Sequence, residues 1–302
     1  MAKVNKEKSK GTLEKKESLA GFLFTLPWFI GLLYFFIYPF ALDIFYSFNE
    51  VKFDGGEMQY SPIGWSNYYS VFTSSPDFIR GFFESIGTIF IDTVLIIFFS
   101  IFIALILKSE FRGRTFVRAV FFLPVIIASG PIISIINGDS IAQELLSGGR
   151  TSMLFDVSSM QDILLGMGLP YKVIEFFLGI INDIFNLSWR SGIQILLFLA
   201  GLQGVPSHLY EAAEVEGATK WESFWRITFP MITPILLLNV VYTLIEGFTD
   251  FNNTIISSIV SFTRNLNLSY GAALGVCYFF IIAIIIAIVY LALNRKTFYV
   301  EK

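Results

Sequence analysis

Six long apolar stretches dominate this chain and limit what it can fold into. A hydrocarbon core about 30 Å thick is crossed by roughly 20 mostly apolar residues in a helix. Of the 302 residues, 55% are hydrophobic and 15% are charged, whereas a soluble domain carries about 25% charged residues. We therefore predict an all-α, polytopic membrane protein with six transmembrane helices, at approximately 19–48, 83–107, 117–136, 176–203, 229–251 and 270–293.

The first apolar stretch follows a charged head, residues 1–18, and has the general look of a secretory signal. Its apolar run is far longer than the roughly 7–15 residues of a signal peptide, and no small-residue cleavage site ends it. We expect a retained first span, with residues 19–302 forming the membrane domain.

Lysine and arginine are distributed unequally between the two sides of such a topology. Fifteen lie in the head, in segments 108–118 and 204–228 and in the tail, whereas five lie in segments 49–82, 137–175 and 252–269. Because cytoplasmic loops are enriched in Lys and Arg, the pattern predicts that both termini are cytoplasmic. The second set of segments is then external, and within 137–175 we expect an amphipathic helix near the membrane surface.

A cytoplasmic segment between the fourth and fifth spans, residues 204–230, contains a predicted short helix. Ser207 is a favourable N-cap, Glu211 would lie in the positive first turn, and Gly217 is a suitable C-terminal stop. Small Ala212 and Ala213 would let this helix pack closely in a groove of another protein. From the pattern alone, a surface helix that merely links two spans is an equally good interpretation.

The segment also carries a recognisable motif, Glu211-Ala212-Ala213 followed by Gly217, with Ile227 and Pro230 further on. With it, the sequence resembles carbohydrate permeases of ABC importers, of the maltose, multiple-sugar and glycerol-phosphate type. Further similarity lies in Gly64-Trp65-Ser66-Asn67-Tyr68, in the run from Phe111 to Pro124 and in Tyr38-Pro39. Two departures are Glu216, where many relatives have Asp, and the segment 253–258, where many have Gly-Gly-Gly-Pro.

The resemblance implies a type I ABC importer permease fold in the bacterial cytoplasmic (inner) membrane. It also implies that Glu211, Ala212, Ala213 and Gly217 form the coupling helix, which seats in a cleft of an ATPase. The expected partners are a second, homologous permease subunit, two ATPase subunits, an extracytoplasmic sugar-binding protein and membrane lipid. The function implied is ATP-driven import of sugars, of the oligosaccharide type.

Motifs of enzymes and motors are absent from the sequence. It contains no G-x-x-x-x-G-K-[ST], no H-E-x-x-H and no G-x-S-x-G. A single histidine, His208, and a single cysteine, Cys277, leave little for metal chemistry. We expect no enzyme activity and no cofactor in this chain, with ATP and Mg on the partner ATPase, and the net charge of −3 suggests no nucleic-acid partner.

Polar residues recur at helical spacing in two of the spans and form two predicted stripes. Such residues are costly in a membrane and usually face a bundle interior or a cavity. One interpretation is a substrate pathway, and the other is structural, with Arg190 paired to Asp183, Glu246 or Asp250. Asp92 and Glu84 are weaker candidates without a stripe. The stripe residues are Asn182, Asn186, Arg190 and Gln194, then Asn239, Tyr242, Glu246, Asp250 and Asn253.

Two other functions stay open at this stage. One is an ABC importer permease for another small solute. The other is a channel or secondary transporter that works without ATP, although such transporters often contain inverted repeats and this sequence has no evident repeat.

Overall fold

The structure, a computed structural model, describes residues 20–54, 57–73, 76–121, 170–250 and 253–298. Within these ranges, four helical segments are long and apolar enough to cross a membrane. A fifth is added if two helices that meet at 63°, Gly192–Gln203 and Ser207–Val215, count as one broken span. The four segments are Ala20–Phe48, Ile79–Lys108, Lys220–Arg264 and Leu268–Asn294.

These segments match the first, second, fifth and sixth predicted spans. Residues 114–121 are helical at the start of the predicted third span, whose remainder lies outside the described residues. The same is true of most of segment 137–175 and of the charged head 1–18. The count of six spans and the placement of the head therefore stay predictions.

The chain divides into two compact units, and the first combines Met1–Pro76 with Ser258–Phe279. It begins with α1, Ala20–Phe48, which contains a π-helical stretch at Leu33–Ile37. The α1 side chains are largely exposed, with Phe24 at 87% and Phe35 at 79%. Such an apolar surface needs lipid or another apolar protein surface to cover it.

A β-hairpin follows α1, although the sequence predicted only helices. Strands β1 (Asn49–Asp54) and β2 (Glu57–Pro62) pair antiparallel, with Asn49 opposite Pro62. The backbone N–H of Val51 donates to Ser269 Oγ at 2.7 Å, which ties the hairpin to the start of the last helix. Hydropathy does not register a two-stranded hairpin of this kind, because its strands are short and mostly polar.

The Gly64–Tyr68 motif has a structural role beside this hairpin. Helix α2, Ser66–Thr73, carries Asn67, whose Nδ2 donates to the carbonyl of Ser47 at 3.0 Å. The hydroxyls of Tyr68 and Ser47 are hydrogen-bonded at 2.6 Å. The motif therefore satisfies polar groups in the last turn of α1.

The second unit combines Asp77–Ser257 with Phe280–Lys302. Helix α3 is Pro76–Lys108 and residues 114–121 form α4. The region predicted as the fourth span, 176–203, is two helices, α5 (Tyr171–Arg190) and α6 (Gly192–Gln203). They are separated at Ser191, whose ψ of 0° (φ −89°) departs from the value of about −42° in a regular α-helix.

The rest of the second unit continues from α6 into α7, Ser207–Val215, and then α8, Lys220–Ser223. A π-helical stretch, Phe224–Thr228, leads into α9, Phe229–Thr249. The final helices are α10, Thr254–Arg264, and α11, Leu268–Asn294, and the residues of each are divided between the two units.

Helices α3, α6 and α9 enclose the core of the second unit. Gly201 of α6 lies so close to α9 that a Cβ there would be 2.7 Å from Ile235 Cγ1. Small residues allow helix backbones in membranes to approach in this way. The buried cluster comprises Ile97, Ala104, Leu107, Ile195, Phe198, Leu199, Leu202, Val205 and Ile232.

Candidate functional site

Helix α7 is the short helix predicted for the segment 204–230, and its N-terminus differs from the prediction. The N-cap is Pro206, with no side-chain capping bond, and Ser207 is the first helical residue. Consequently Glu211 lies beyond the first turn, and the first turn itself contains no acidic residue. A proline with extended backbone (φ −63°, ψ 135°) starts the helix in place of the predicted hydroxyl cap.

As the sequence predicted, α7 is terminated by Gly217, whose φ is +78°. The N–H of Gly217 donates to the Glu214 carbonyl at 3.0 Å, and the N–H of Ala218 donates to the Ala213 carbonyl at 2.9 Å. These two bonds form a Schellman motif, in which glycine takes the left-handed conformation without a Cβ penalty. The sequence therefore fixes where this helix ends.

One side of α7 is open to the surroundings of the chain. Glu211 and Ala212 are exposed, Ala213 is half-buried, and Val215 at the end of the helix is 90% exposed. Acidic and small apolar groups on one accessible helix suit docking in a groove of another protein.

Tyr210 connects the opposite side of α7 to the membrane helices, a role that the sequence reasoning missed. Its hydroxyl accepts a hydrogen bond from Lys108 Nζ at 3.0 Å and forms a second hydrogen bond with the hydroxyl of Thr228 at 2.9 Å. Lys108 ends α3 and Thr228 ends the π-helical stretch before α9. Tyr210 therefore links α7 by hydrogen bonds to residues next to the ends of two long helices.

The segment after α7 is stiffened by a capping box at the start of α8. The N–H of Glu222 donates to Thr219 Oγ1 at 3.3 Å, and the N–H of Thr219 donates to Glu222 Oε2 at 2.9 Å. Two orphan donors are satisfied reciprocally in this arrangement. Exposed Trp221 and Trp225 follow, with ring centroids 5.6 Å apart.

The first predicted polar stripe does not lie on one continuous helix, because the break at Ser191 separates Gln194 from the other three residues. Asn186 and Arg190 line a cavity, whereas Gln194 is fully buried. The side chain of Asn182 lies outside the described part of the structure.

Arg190 has a partner that the sequence reasoning ranked among the weaker candidates. Its Nη1 donates to Asp92 Oδ2 of α3 at 2.6 Å, with the two side chains 28% and 32% exposed. The predicted pairing with Asp183, Glu246 or Asp250 is therefore wrong. Asp92 is one of two ionisable residues within the predicted second span. Because charged residues inside a membrane usually pair with each other, the sequence itself indicated Asp92 as a possible partner of Arg190.

The two stripes meet at Gln194, which lies against α9. Gln194 Nε2 donates to Thr243 Oγ1 at 3.1 Å and to Glu246 Oε2 at 3.0 Å. Asn239 Nδ2 donates a hydrogen bond to the backbone carbonyl of Gln194 at 3.5 Å. Gln194 and Asn239 are both fully buried, and a buried side-chain oxygen of each has no hydrogen-bond partner. This part of the stripes joins α6 to α9.

The remaining stripe residues are Tyr242 in α9 and, just beyond the end of that helix, Asp250 and Asn253. Tyr242 is half-buried within the helix. Asp250 and Asn253 line a second cavity, together with Arg190 and Asp92. Among the described residues, no group of three or more His, Cys, Asp or Glu side chains is arranged to hold a metal ion.

Known proteins with similar sequences are ABC transporter permeases. The probable ABC transporter permease protein YesP of Bacillus subtilis is 27% identical, over 94% of this chain and 92% of its own length. The arabinooligosaccharides transport system permease protein AraP of the same organism is 27% identical over 88% and 86%. The trehalose/maltose transport system permease protein MalF of Thermococcus litoralis is 26% identical over 94% and 96%.

The fold comparison agrees with these relatives. A chain in the crystal structure of a bacterial ABC transporter involved in import of the acidic polysaccharide alginate matches with a TM-score of 0.63, at 20% identity, over 95% of this chain and 99% of that one. No protein-family model matches.

These comparisons confirm the class predicted from the sequence, because the chain resembles permease components of ABC transporters along nearly its whole length. The protein is accordingly a membrane-embedded, multi-pass permease. Several of its relatives carry the names of sugar transport systems.

Proposed function

We propose that this chain is the permease subunit of an ATP-driven, binding-protein-dependent importer of sugars, of the oligosaccharide type. It spans the bacterial cytoplasmic membrane six times with both termini in the cytoplasm. It works with a second, homologous permease subunit, two ATPase subunits and an extracytoplasmic sugar-binding protein. ATP and Mg bind to the ATPase subunits, and this chain needs no cofactor of its own.

The observation that carries the proposal is helix α7, which is exposed on one side and terminated by Gly217. Glu211, Ala212 and Ala213 lie on this helix, and we assign them with Gly217 to the ATPase contact. Tyr210 supports the assignment because it connects the helix to α3 and α9 through hydrogen bonds of 3.0 and 2.9 Å. A link of this kind is required if nucleotide-driven movement is to reach the membrane spans.

We assign the sugar pathway to the stripe residues that line cavities, namely Asn186, Arg190, Asp250 and Asn253. Gln194, Asn239 and Glu246 act in helix packing beside it, and Tyr242 and Asn182 complete the candidate set. Amide and carboxylate groups suit hydroxyl-rich solutes because they accept hydrogen bonds from hydroxyls.

Affinity purification of the tagged chain from its native membrane tests the function. An ATPase should co-purify with the chain, and Glu211→Lys should reduce the amount retained, because a positive charge replaces an acidic group at the proposed contact. Glu57→Lys makes the same change on the exposed hairpin strand β2 and should retain the ATPase fully. Equal retention in both variants would contradict the coupling-helix assignment.

The same purification separates the two alternatives. A channel or secondary transporter would purify without an ATPase. A permease for another small solute would retain the ATPase, and its binding protein would bind a non-carbohydrate ligand in calorimetry. The sugar-system relatives favour carbohydrate.

A further inference from the structure

Two cavities in the second unit meet at the Arg190–Asp92 ion pair. One, of about 480 Å³, lies between α3 and α5 and includes Asp183 and Asn186. The other, of about 390 Å³, lies between α3 and the end of α9 and includes Glu84, Ser85 and Asp250. Both are lined by Asp92 and Arg190, so a solute in either one is close to the same ion pair.

The charges that line these cavities are predominantly negative. Among the described lining residues, four carboxylates, those of Glu84, Asp92, Asp183 and Asp250, are combined with a single guanidinium, that of Arg190. Because Arg190 Nη1 donates to Asp92 Oδ2 at 2.6 Å, its charge is largely balanced by one of the four. Arg190 is therefore a poor anchor for an anionic solute.

Arg80, a further cation beside the second cavity, compensates only part of this charge. It lies 2.9 Å from Glu84, with side chains 80% and 65% exposed. An ion pair so accessible to water and salt is weak. Counted by formal charge, the described lining with Arg80 included still carries an excess of two negative charges.

The neutral lining groups complete a surface suited to hydroxyl groups. Ser85 Oγ lies 3.4 Å from Asn253 Oδ1, and Thr88 and Asn186 add a hydroxyl and an amide. Ionised carboxylates only accept hydrogen bonds. Sugar hydroxyls donate them, whereas a uronate carboxylate brings a like charge and another acceptor.

From this lining we propose that the pathway through this subunit takes uncharged oligosaccharides and disfavours those that carry carboxylates. The inference rests on the proposed function and adds the charge of the substrate to it. It also separates this chain from its structural neighbour, whose transporter imports an acidic polysaccharide, since a shared fold does not fix the charges along a path.

The reaction rates of charged thiol reagents report the electrostatic potential in the second cavity. The variant Ser85→Cys is made in a Cys277→Ala background, which removes the one native cysteine. The purified complex is then treated with a cationic and an anionic methanethiosulfonate of similar size. Relative to a free thiol, we expect the cationic reagent to react about tenfold faster than the anionic one at low salt, and the preference to shrink as salt screens the carboxylates.

Neutralising variants provide the matched controls. Asp250→Asn and Glu84→Gln should each reduce the cationic preference of the thiol at position 85, and Glu84 is exposed, so its variant should leave the complex intact. Glu57→Gln on the hairpin changes the net charge equally and should leave the preference unchanged. Equal rates for the two reagents, or a faster anionic reagent, would overturn the proposed charge of the path.

Protection of the same engineered thiol tests the substrate class. Neutral malto-, arabino- and galactotetraose are compared with tetragalacturonate at equal concentrations, with a neutral reagent as the label. We expect at least one neutral sugar to slow labelling and tetragalacturonate to have no effect. Protection by tetragalacturonate alone, or by none of the sugars, would refute the inference, whereas loss of the co-purifying ATPase from the wild-type chain would refute the proposed function instead.

Discussion

At the scale of single residues, the Arg190–Asp92 ion pair is the contact that both cavities of the second unit share. It joins α3 to the end of α5 beside the break at Ser191. Its side chains are about one-third exposed, at 28% and 32%, so the pair lies between a surface ion pair and a fully buried one. Removing one partner leaves the other charge in a partly desolvated site.

Arg190→Gln and Asp92→Asn should each destabilise the protein by about 1–3 kcal/mol, between the costs of breaking exposed and buried pairs. Because the two residues contact each other, the double variant should lose less than the sum of the single ones. Thermal unfolding of the purified chain in detergent measures all three. The same set of single and double variants at Arg80 and Glu84, an exposed i,i+4 pair, serves as the control, and the coupling energy there should be no more than about 0.5 kcal/mol. An equal coupling energy for the two pairs would contradict the role of Arg190.

Gly217 is the residue whose backbone conformation ends α7. Gly217→Val should strain the motif by roughly 1–2 kcal/mol, since a side chain with a Cβ disfavours the left-handed region. Gly217→Asn should be nearly neutral because asparagine tolerates that region. ATP hydrolysis by the assembled complex should fall in the valine variant alone, and an equal fall in both would show that the conformation is not the cause.

At the scale of elements, the connection from α7 to the membrane helices depends on the Tyr210 hydroxyl. Tyr210→Phe keeps the ring beside Lys108 and removes two hydrogen bonds, each worth about 0.5–1.5 kcal/mol. We expect the ATPase to remain bound while substrate-stimulated hydrolysis and uptake decline, because docking persists and transmission weakens. Tyr69→Phe on α2, where the tyrosine is 72% exposed, is the control. Unchanged coupling in the Tyr210 variant would remove Tyr210 from the path.

The close packing of α6 against α9 leads to a second prediction at this scale. In Gly201→Ala the new Cβ would meet Ile235 Cγ1 at 2.7 Å and Cβ at 3.2 Å. Overpacking of this kind costs about 1–3 kcal/mol, so the unfolding midpoint should fall. Gly179→Ala in α5 has nothing within 4 Å of the new atom and should leave the midpoint unchanged or raise it slightly, because alanine favours helix. A drop of equal size in both variants would indicate a general intolerance of substitution.

At the scale of the whole molecule, the unequal distribution of Lys and Arg predicts which segments face outwards. The test uses single cysteines at two exposed positions. One replaces Met58 on strand β2, and the other replaces Lys220 on α8. In intact cells with Cys277 replaced, a membrane-impermeant maleimide should label position 58 and should reach position 220 only after permeabilisation. The reverse pattern would invert the proposed topology.

The sequence by itself determined the features that depend on local composition. Apolar length predicted the spans near 19–48, 83–107, 229–251 and 270–293, because the cost of placing polar groups in hydrocarbon leaves few alternatives. Gly217 predicted the end of α7 because few other residues adopt its backbone conformation. The Glu211-Ala212-Ala213 motif, together with the flanking similarities, was enough to predict the class.

The tertiary structure decided what depends on contacts between distant segments. Periodicity placed Asn186, Arg190 and Gln194 on one helix face, but the break at Ser191 assigns Arg190 to a cavity and Gln194 to a buried contact with α9. The partner of Arg190 lies 98 positions away at Asp92, and Tyr210 reaches Lys108 across 102. A helical pattern specifies which side chains share a face, whereas only the packing of one helix on another determines what that face meets.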